Sequence, residues 1–199
     1  FPNLPKEKQV DALWDAIFKA TRSDLDNPVE AWTKHNDTLH EKVHYLNAKK
    51  YAKLHYTAPG TDLTIELPKG HLWCGAGSVN EKGEEFMANM PTEEVFTVPH
   101  KDGVNGYVSS TKPLSYGGNI IDNFKITFEN GRITKVEAEQ GEEVLKNLVA
   151  TDEGSHRLGE VALVPHDSPI SNSGLLFYNT LFDENASNHL AIGSAYAFC

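Results

Sequence analysis

The stretch "FKITFENGRITKVEAE", residues 124–139, decides the fold class of this chain. Apolar and polar residues alternate on both sides of Asn130-Gly131, and this dipeptide favours a two-residue hairpin turn of type I′. Alternation directs successive side chains to opposite faces of a strand, so that one face of the hairpin can be buried. The segment therefore predicts two antiparallel strands.

Two helices are predicted before the strands begin, within residues 1–50. Residues 7–20 have apolar side chains at the spacing of one helix face. The members of this face are Val10, Leu13, Trp14, Ile17 and Phe18. A second helix is predicted to begin at Pro28, because Asn27 can cap it, proline suits a first turn and Glu30 lies at capping-box spacing.

From residue 51 onwards, short alternating runs separated by turn residues predict strands. One further helix is predicted in "GEEVLKNLVATDEG", residues 141–154, which begins with acids and aligns its apolar residues on one face. The predicted fold class is therefore α+β: a helical N-terminal leader, residues 1–50, followed by a β-rich, mostly antiparallel body, residues 51–199, with one or two further helices.

Composition narrows the function classes. With 199 residues, of which 39% are hydrophobic, the chain can bury a substantial core. Its net charge of -10 disfavours a nucleic-acid partner, which requires clustered Lys and Arg. No apolar run is long enough to span a membrane. Two cysteines, Cys74 and Cys199, are too few for a disulfide framework, and we expect a reducing, cytoplasmic location.

The run "HEKVH", residues 40–44, formally matches the H-E-x-x-H helix of single-zinc peptidases. Helical spacing puts His40 and His44 on one face, as two imidazole ligands require. However, Lys42 brings a cation into the motif, and both histidines flank the apolar stripe of their helix rather than lie in it. The favoured interpretation is a solvated helix flank, and a single-zinc peptidase using His40 and His44 stays the alternative.

Three acids and a histidine lie in apolar surroundings elsewhere. Glu160 is part of "LGEVALV", where an ionised carboxylate is costly unless it is paired or bound to a metal. Glu93 and Glu94 would point to opposite faces of a strand, so one of them faces inward. His189 precedes a small apolar run. These residue types suit a zinc, cobalt or manganese site. Spacing alone favours an edge position or a salt bridge to Arg157 for Glu160, and a lone histidine is more often a hydrogen-bonded core residue than a ligand.

Three motifs together give a more specific indication. The runs "NMPTEEVFT", "GSHRLGEVALV" and "LFDENASNHLAIGSAY" resemble those of metallopeptidase family M29, the thermophilic-type aminopeptidases, and the resemblance extends through nearly all of the chain. It implies a cytoplasmic aminopeptidase that releases N-terminal amino acids from peptides with a free N-terminus. It also implies two divalent metal ions, zinc, cobalt or manganese, a water activated by both ions, and a homodimer whose subunits enclose the sites.

The resemblance assigns roles to four residues of this sequence. Glu94 corresponds to the first glutamate ligand of the family, Glu160 to its metal-bridging glutamate, His189 to a histidine ligand and Tyr196 to its functional tyrosine. Tyr196 is the expected donor to the oxyanion that forms during peptide hydrolysis. Residues 185–188 are expected to hold the His189 ring through hydrogen bonds.

The resemblance also implies a division of the chain. Residues 1–50 would be the tail end of the family's N-terminal region, and residues 51–199 a catalytic domain that is incomplete at its C-terminus. Two further ligands of the family, from an H-x-D motif, have no counterpart before Cys199. We therefore expect the chain alone to bind metal weakly or at one site, with little or no peptidase activity. A non-catalytic β-rich dimerisation domain stays an alternative.

A general base is still needed for this chemistry. The only acids near the motif of His189 are Asp183 and Glu184 in "FDEN". Capping or a turn is the more ordinary role of acids in such a run, so the sequence leaves the choice between them open.

Overall fold

The computed structural model of the chain describes residues 1–199. Its helices are α1 (Lys6–Ala20), α2 (Pro28–Lys49), α3 (Glu142–Val149), α4 (Pro169–Ser173) and α5 (Thr180–Glu184). Its strands are β1 (Lys53–Ala58), β2 (Thr61–Glu66), β3 (Cys74–Gly75), β4 (Ser78–Val79), β5 (Glu85–Phe86), β6 (Val95–Thr97), β7 (Val104–Ser109), β8 (Leu114–Tyr116), β9 (Asn119–Glu129), β10 (Arg132–Gln140), β11 (Leu158–Leu163) and β12 (His189–Ile192). Two long helices precede antiparallel sheets, which confirms the predicted α+β class, although three further helices follow instead of one or two, because α4 and α5 are single turns of five residues.

The larger sheet is built around the predicted hairpin. Its strand order is β1-β2-β7-β9-β10, and β8 pairs with the first three residues of β9. Glu129 pairs with Arg132 across the turn, where Asn130 and Gly131 both have positive φ, 50° and 80°. These are the angles of a type I′ turn, so the hairpin prediction is confirmed. Glycine is required at position 131 for two reasons. Its φ is positive, and a Cβ there would lie 1.7 Å from the carbonyl oxygen of Lys101.

The main core lies between this sheet and the helices that cover it. Fifteen buried hydrophobic residues form one cluster, to which α2 contributes Leu39, β2 contributes Leu63 and Ile65, β9 contributes Phe128 and β11 contributes Val161. Because the cluster joins both sheets to α2 and α3, it fixes the position of the smaller sheet as well as the larger one.

The second helix begins as its sequence predicts. Oδ1 of Asn27 accepts a hydrogen bond of 3.2 Å from the backbone N–H of Glu30, and Nδ2 of Asn27 donates to the Glu30 carboxylate at 2.9 Å. Pro28 occupies the first turn, where its missing N–H costs nothing. The helix ends at Lys49 and β1 begins at Lys53; the assignment of residues 1–50 and 51–199 to separate domains stays a prediction.

The first helix forms where its periodicity predicts it, but its apolar face is open. Val10 is 61% exposed and Trp14 52% exposed. The helix instead packs its small side against α4, where Ala20 forms a separate buried cluster with Ile170 and Ala186. The periodicity correctly predicts which face of the helix is apolar. It does not predict whether another part of the protein covers that face.

The smaller sheet carries the candidate site. Its strand order is β12-β11-β6-β3, with all neighbours antiparallel. Cys74 on β3 lies beside Cys199, whose Sγ is 2.8 Å from that of Cys74, and both thiols are free. None of the helices is both long and apolar enough to cross a lipid bilayer.

Candidate metal centre

Glu94, Glu160 and His189, the three ligands expected from the sequence, converge on one point; we call them the sheet cluster. Each offers a ligand atom, and these atoms all lie within 4.8 Å of one another. Nε2 of His189 is 2.8 Å from Oε2 of Glu94 and 3.6 Å from Oε1 of Glu160. Their side chains are between 13% and 19% exposed. The structure therefore brings all three together in a largely desolvated place.

Strand register explains this convergence. Strand β11 pairs with β6 on one side and β12 on the other, and Ala162 of β11 is opposite both Phe96 and His189. Residues opposite each other share a face, and so do residues two apart on one strand. Glu160 is two residues before Ala162 on β11. Glu94 directly precedes β6, two residues before Phe96, so its side chain continues the face that carries Glu160 and His189. Glu160 on β11 is diagonal to His189 on the neighbouring strand β12, a separation that long side chains can span.

Gly159 allows a loop to approach the cluster closely. A Cβ at this position would lie 2.1 Å from the carbonyl oxygen of Ser194 and 2.6 Å from that of Gly193. Any other residue would push this loop away from β11. Glycine therefore keeps the loop after β12 packed against the strand that carries Glu160.

The His189 ring is oriented for a ligand. Nδ1 donates to the carbonyl oxygen of Ser187 at 3.1 Å, which leaves Nε2 to face the two carboxylates. Of residues 185–188, which were expected to hold the ring, only Ser187 bonds to it, through its backbone carbonyl. Burial alone would lower the pKa of His189, but interaction with Glu160 and then Glu94 outweighs it and raises the pKa to about 10. The cluster therefore favours a cation at this nitrogen, either a proton or a metal ion.

Two atoms of the cluster lack an aligned partner. Oε2 of Glu94 and Nε2 of His189 are hidden from solvent, and neither makes a hydrogen bond of acceptable geometry although they are 2.8 Å apart. Buried polar atoms are normally satisfied, so such a pair needs an explanation. Two carboxylates and one imidazole are a donor set that zinc, cobalt and manganese accept. The residues therefore fit a divalent metal ion.

The two acids proposed as general base have different surroundings. The Asp183 carboxylate accepts from the backbone N–H of Phe177 at 2.7 Å and of Asn179 at 3.0 Å, so it holds the turn before α5. Burial raises the pKa of Glu184, His189 lowers it, and the carboxylates of Glu94 and Glu160 raise it further. Of the two acids, Glu184 is thus the one whose pKa depends on the charges of the sheet cluster.

Tyr196 lies on the loop after β12 and is 56% exposed. Its ring packs against Phe96 of β6, with centroids 5.7 Å apart, and against Phe198 at 5.0 Å. The tyrosine therefore sits on the sheet that carries the cluster, and its catalytic role stays a prediction.

His40 and His44, which we call the helix pair, lie on the outer flank of α2. Their ring centroids are 6.4 Å apart, and Asp37 and Glu41 share this shallow surface. These four residues do not converge on a common point, since the sheet cluster is the one group of three or more His, Cys, Asp or Glu whose ligand atoms do. The interpretation as a solvated helix flank is the one that this geometry favours.

The sequence did not indicate the residues that support the cluster from behind. Glu93, Arg22, His35 and Asn185 form a buried polar network next to Glu94. Only the expectation that Glu93 and Glu94 point to opposite sides gave a signal for it. Arg22 is 71 residues from Glu93, so no local pattern could have paired them.

The chain resembles known aminopeptidases along its whole length. It is 72% identical over 198 residues to "Aminopeptidase AmpS" of Bacillus subtilis and 57% identical over 196 residues to "Aminopeptidase 2" of Geobacillus stearothermophilus. These matches cover 100% and 98% of this chain, and 48% of each relative. The solved structure of wild-type AmpT from Thermus thermophilus superimposes with a TM-score of 0.93 at 51% identity, covering 99% of this chain and 48% of that one.

The chain thus spans about half the length of the curated relatives it matches. A sequence profile described as "Thermophilic metalloprotease (M29)" matches residues 1–199. Since this match covers the whole chain and the relatives share more than half of its residues, the chain belongs to the M29 family of metalloproteases.

Proposed function

We propose that this chain carries part of the metal centre of an aminopeptidase, which releases amino acids one at a time from peptides with a free N-terminus. The observation that carries the proposal is the convergence of Glu94, Glu160 and His189 on one desolvated point. The names of the relatives support the reaction class. A purely structural dimerisation domain would have no need to bring two carboxylates and an imidazole together in a largely desolvated place, where each charge is costly.

The three residues of the sheet cluster are the proposed metal ligands, and Glu160 is the one proposed to bridge two ions. When bound, zinc, cobalt or manganese supplies a water of lowered pKa and polarises the peptide carbonyl. Three protein ligands suffice for one ion with an open position and are too few for two. We therefore propose that the 199-residue chain alone takes up one ion, and that efficient turnover needs further ligands.

Two other side chains have proposed roles in proton transfer and charge stabilisation. Glu184 is the proposed general base, because burial and the neighbouring carboxylates of Glu94 and Glu160 raise its pKa and so make it a stronger base. Tyr196 is the proposed hydrogen-bond donor to the oxygen on which charge develops. The residue is 56% exposed, so a substrate can contact it from solvent.

The partners proposed for the whole enzyme follow from family membership. They are peptide substrates and a second copy of the enzyme in a homodimer, and the proposed location is the cytoplasm. Nucleic acid is not among them, because the net charge is -10 and no basic cluster is present. Sedimentation analysis distinguishes monomer from dimer.

Calorimetric titration of the chain with Co²⁺ or Zn²⁺ tests the proposal. We expect one ion to bind per chain, with affinity lost in the presence of a chelator. Absence of any uptake would contradict the metal centre itself. Tight uptake of two ions would contradict the ligand count and show that other residues of this chain complete the second site.

A further inference from the structure

A second buried cluster begins one residue before the proposed ligand Glu94. The Glu93 side chain is only 1% exposed, and both of its carboxylate oxygens bond to the guanidinium of Arg22, one of them at 2.9 Å. Arg22 lies on the turn between α1 and α2. A two-pronged arginine–carboxylate pair restricts orientation as well as neutralising charge, so it fixes Glu93 more firmly than a single contact could.

Two further side chains hold the same segment. Nε2 of His35, on α2, donates to the carbonyl oxygen of Thr92 at 2.7 Å, which leaves Nδ1 as the acceptor 3.4 Å from Arg22. Oδ1 of Asn185 accepts from the backbone N–H of Glu93 at 2.7 Å, and its Nδ2 donates to Leu181 at 2.9 Å. Asn185 has no exposed surface. The backbone just before Glu94 is thus fixed by the helical leader on one side and by α5 on the other.

The backbone of Arg22 turns the chain at the end of α1: its N–H donates to the carbonyl oxygen of Lys19 at 3.1 Å, and the N–H of Ser23 donates to that of Phe18 at 2.8 Å. The φ of Arg22 is 57°, in the left-handed region where glycine or asparagine is favoured after a helix end. These two backbone hydrogen bonds are those of a helix C-terminal cap, and they offset the cost of an arginine in this conformation. The pair with Glu93 and the position of the guanidinium 5.6 Å from the centre of the Trp32 ring fix the direction of the side chain that leaves this turn.

We propose that Arg22 is a positioning residue for the metal ligand Glu94, acting through Glu93, and that Asn185 couples this support to the segment of His189. Glu93 and Glu94 are consecutive, so a shift of one moves the other. Asn185 is four residues before His189 and directly after Glu184. One hydrogen-bond network therefore sets the positions of two proposed ligands relative to each other. This inference rests on the proposed function.

The test compares arginine pairs inside and outside the network. Arg22→Lys keeps the charge opposite Glu93 and removes the fork, and Arg132→Lys is the matched control in the exposed pair with Glu153. In each chain, the Co²⁺ dissociation constant and the visible Co²⁺ spectrum are measured, together with urea unfolding of the metal-free protein. We expect Arg22→Lys to weaken Co²⁺ binding by about 10- to 100-fold with an altered spectrum, as loss of an outer support does at metal sites, and Arg132→Lys to leave both unchanged.

A second variant separates positioning from stability. Arg22→Met with Glu93→Met replaces the ion pair by apolar side chains of similar size, a change that preserves folding in other buried pairs. We expect this double variant to unfold cooperatively and still to bind Co²⁺ about tenfold or more weakly. Native Co²⁺ affinity and spectrum in a folded Arg22→Lys chain, or in the folded double variant, would overturn the inference. Lack of Co²⁺ binding by the unmodified chain would instead refute the proposed function, and the inference with it.

Discussion

The sheet cluster and the surface around the helix pair both contain histidine and glutamate, and they differ in what brings the residues together. His40 and His44 are neighbours because a helix repeats every turn, and the pair sits on an outer flank. Glu94, Glu160 and His189 are 66 and 29 residues apart along the sequence and meet only through strand pairing. Residues with the spacing of a motif occur readily in any helix. Bringing three ionisable side chains together away from solvent costs desolvation free energy, and such a cluster therefore indicates function.

The largest difference between the two sites is expected for their glutamates. Glu160→Gln keeps the shape of the side chain and removes the charge that a metal needs, and Glu41→Gln does the same on the helix flank. Since loss of an outer support at metal sites already costs 10- to 100-fold in affinity, loss of a direct ligand is expected to cost at least about 100-fold. Calorimetric Co²⁺ titration of both variants measures this. Equal losses in both would erase the distinction between the sites.

The second, smaller effect is the pH dependence that the sheet cluster gives to the stability of the metal-free chain. Burial opposes protonation of His189, but Glu160 and Glu94 raise its pKa to about 10, against about 6.5 in an unfolded chain. This proton therefore stabilises the metal-free fold below about pH 6.5, and its contribution is lost as the pH rises toward 10. Urea unfolding in a chelator is expected to show lower stability at about pH 9 than at about pH 7.

Metal binding is expected to respond to pH in the opposite direction. A bound ion requires a neutral imidazole, so it must displace the proton of His189. Affinity for Co²⁺ should rise about tenfold per pH unit below the pKa of His189, and uptake should release one proton, seen by calorimetry in buffers of different ionisation enthalpy. His189→Gln is the control, since it has no proton to release at this position; it is measured at Co²⁺ concentrations that saturate the weaker site left by loss of this ligand. Proton release that persists in this variant would place the titrating group elsewhere.

Local signals in the sequence were sufficient for the elements and insufficient for their surroundings. The turn at Asn130-Gly131 and the cap at Asn27 were predictable because each depends on residues within one turn. The open face of α1 was not, because periodicity contains no information about what covers a face. Strand pairing across distant segments is likewise absent from spacing.

The candidate site, too, was predictable only in part. Residue types alone left Glu94, Glu160 and His189 as suggestive, and it was the resemblance to family M29 that grouped them before strand pairing showed their proximity. The support given by Arg22 was not predictable by either route, because an arginine in a left-handed turn looks like an ordinary surface residue in the sequence. Its partner is identified only when the turn and the segment of Glu93 are placed side by side.

The smallest effect is expected for the helix pair itself. The double variant His40→Ala with His44→Ala removes both imidazoles of the H-E-x-x-H match. Two histidines one turn apart lack the further ligands that a zinc site requires, so the Co²⁺ dissociation constant of the chain should change by less than about twofold. Changes away from packed or paired groups usually alter stability by less than about 0.5 kcal/mol, so urea unfolding should coincide with that of the unmodified chain. If the double variant lost its metal while Glu160→Gln kept it, the single-zinc alternative would be correct, and helical spacing would have outweighed convergence after all.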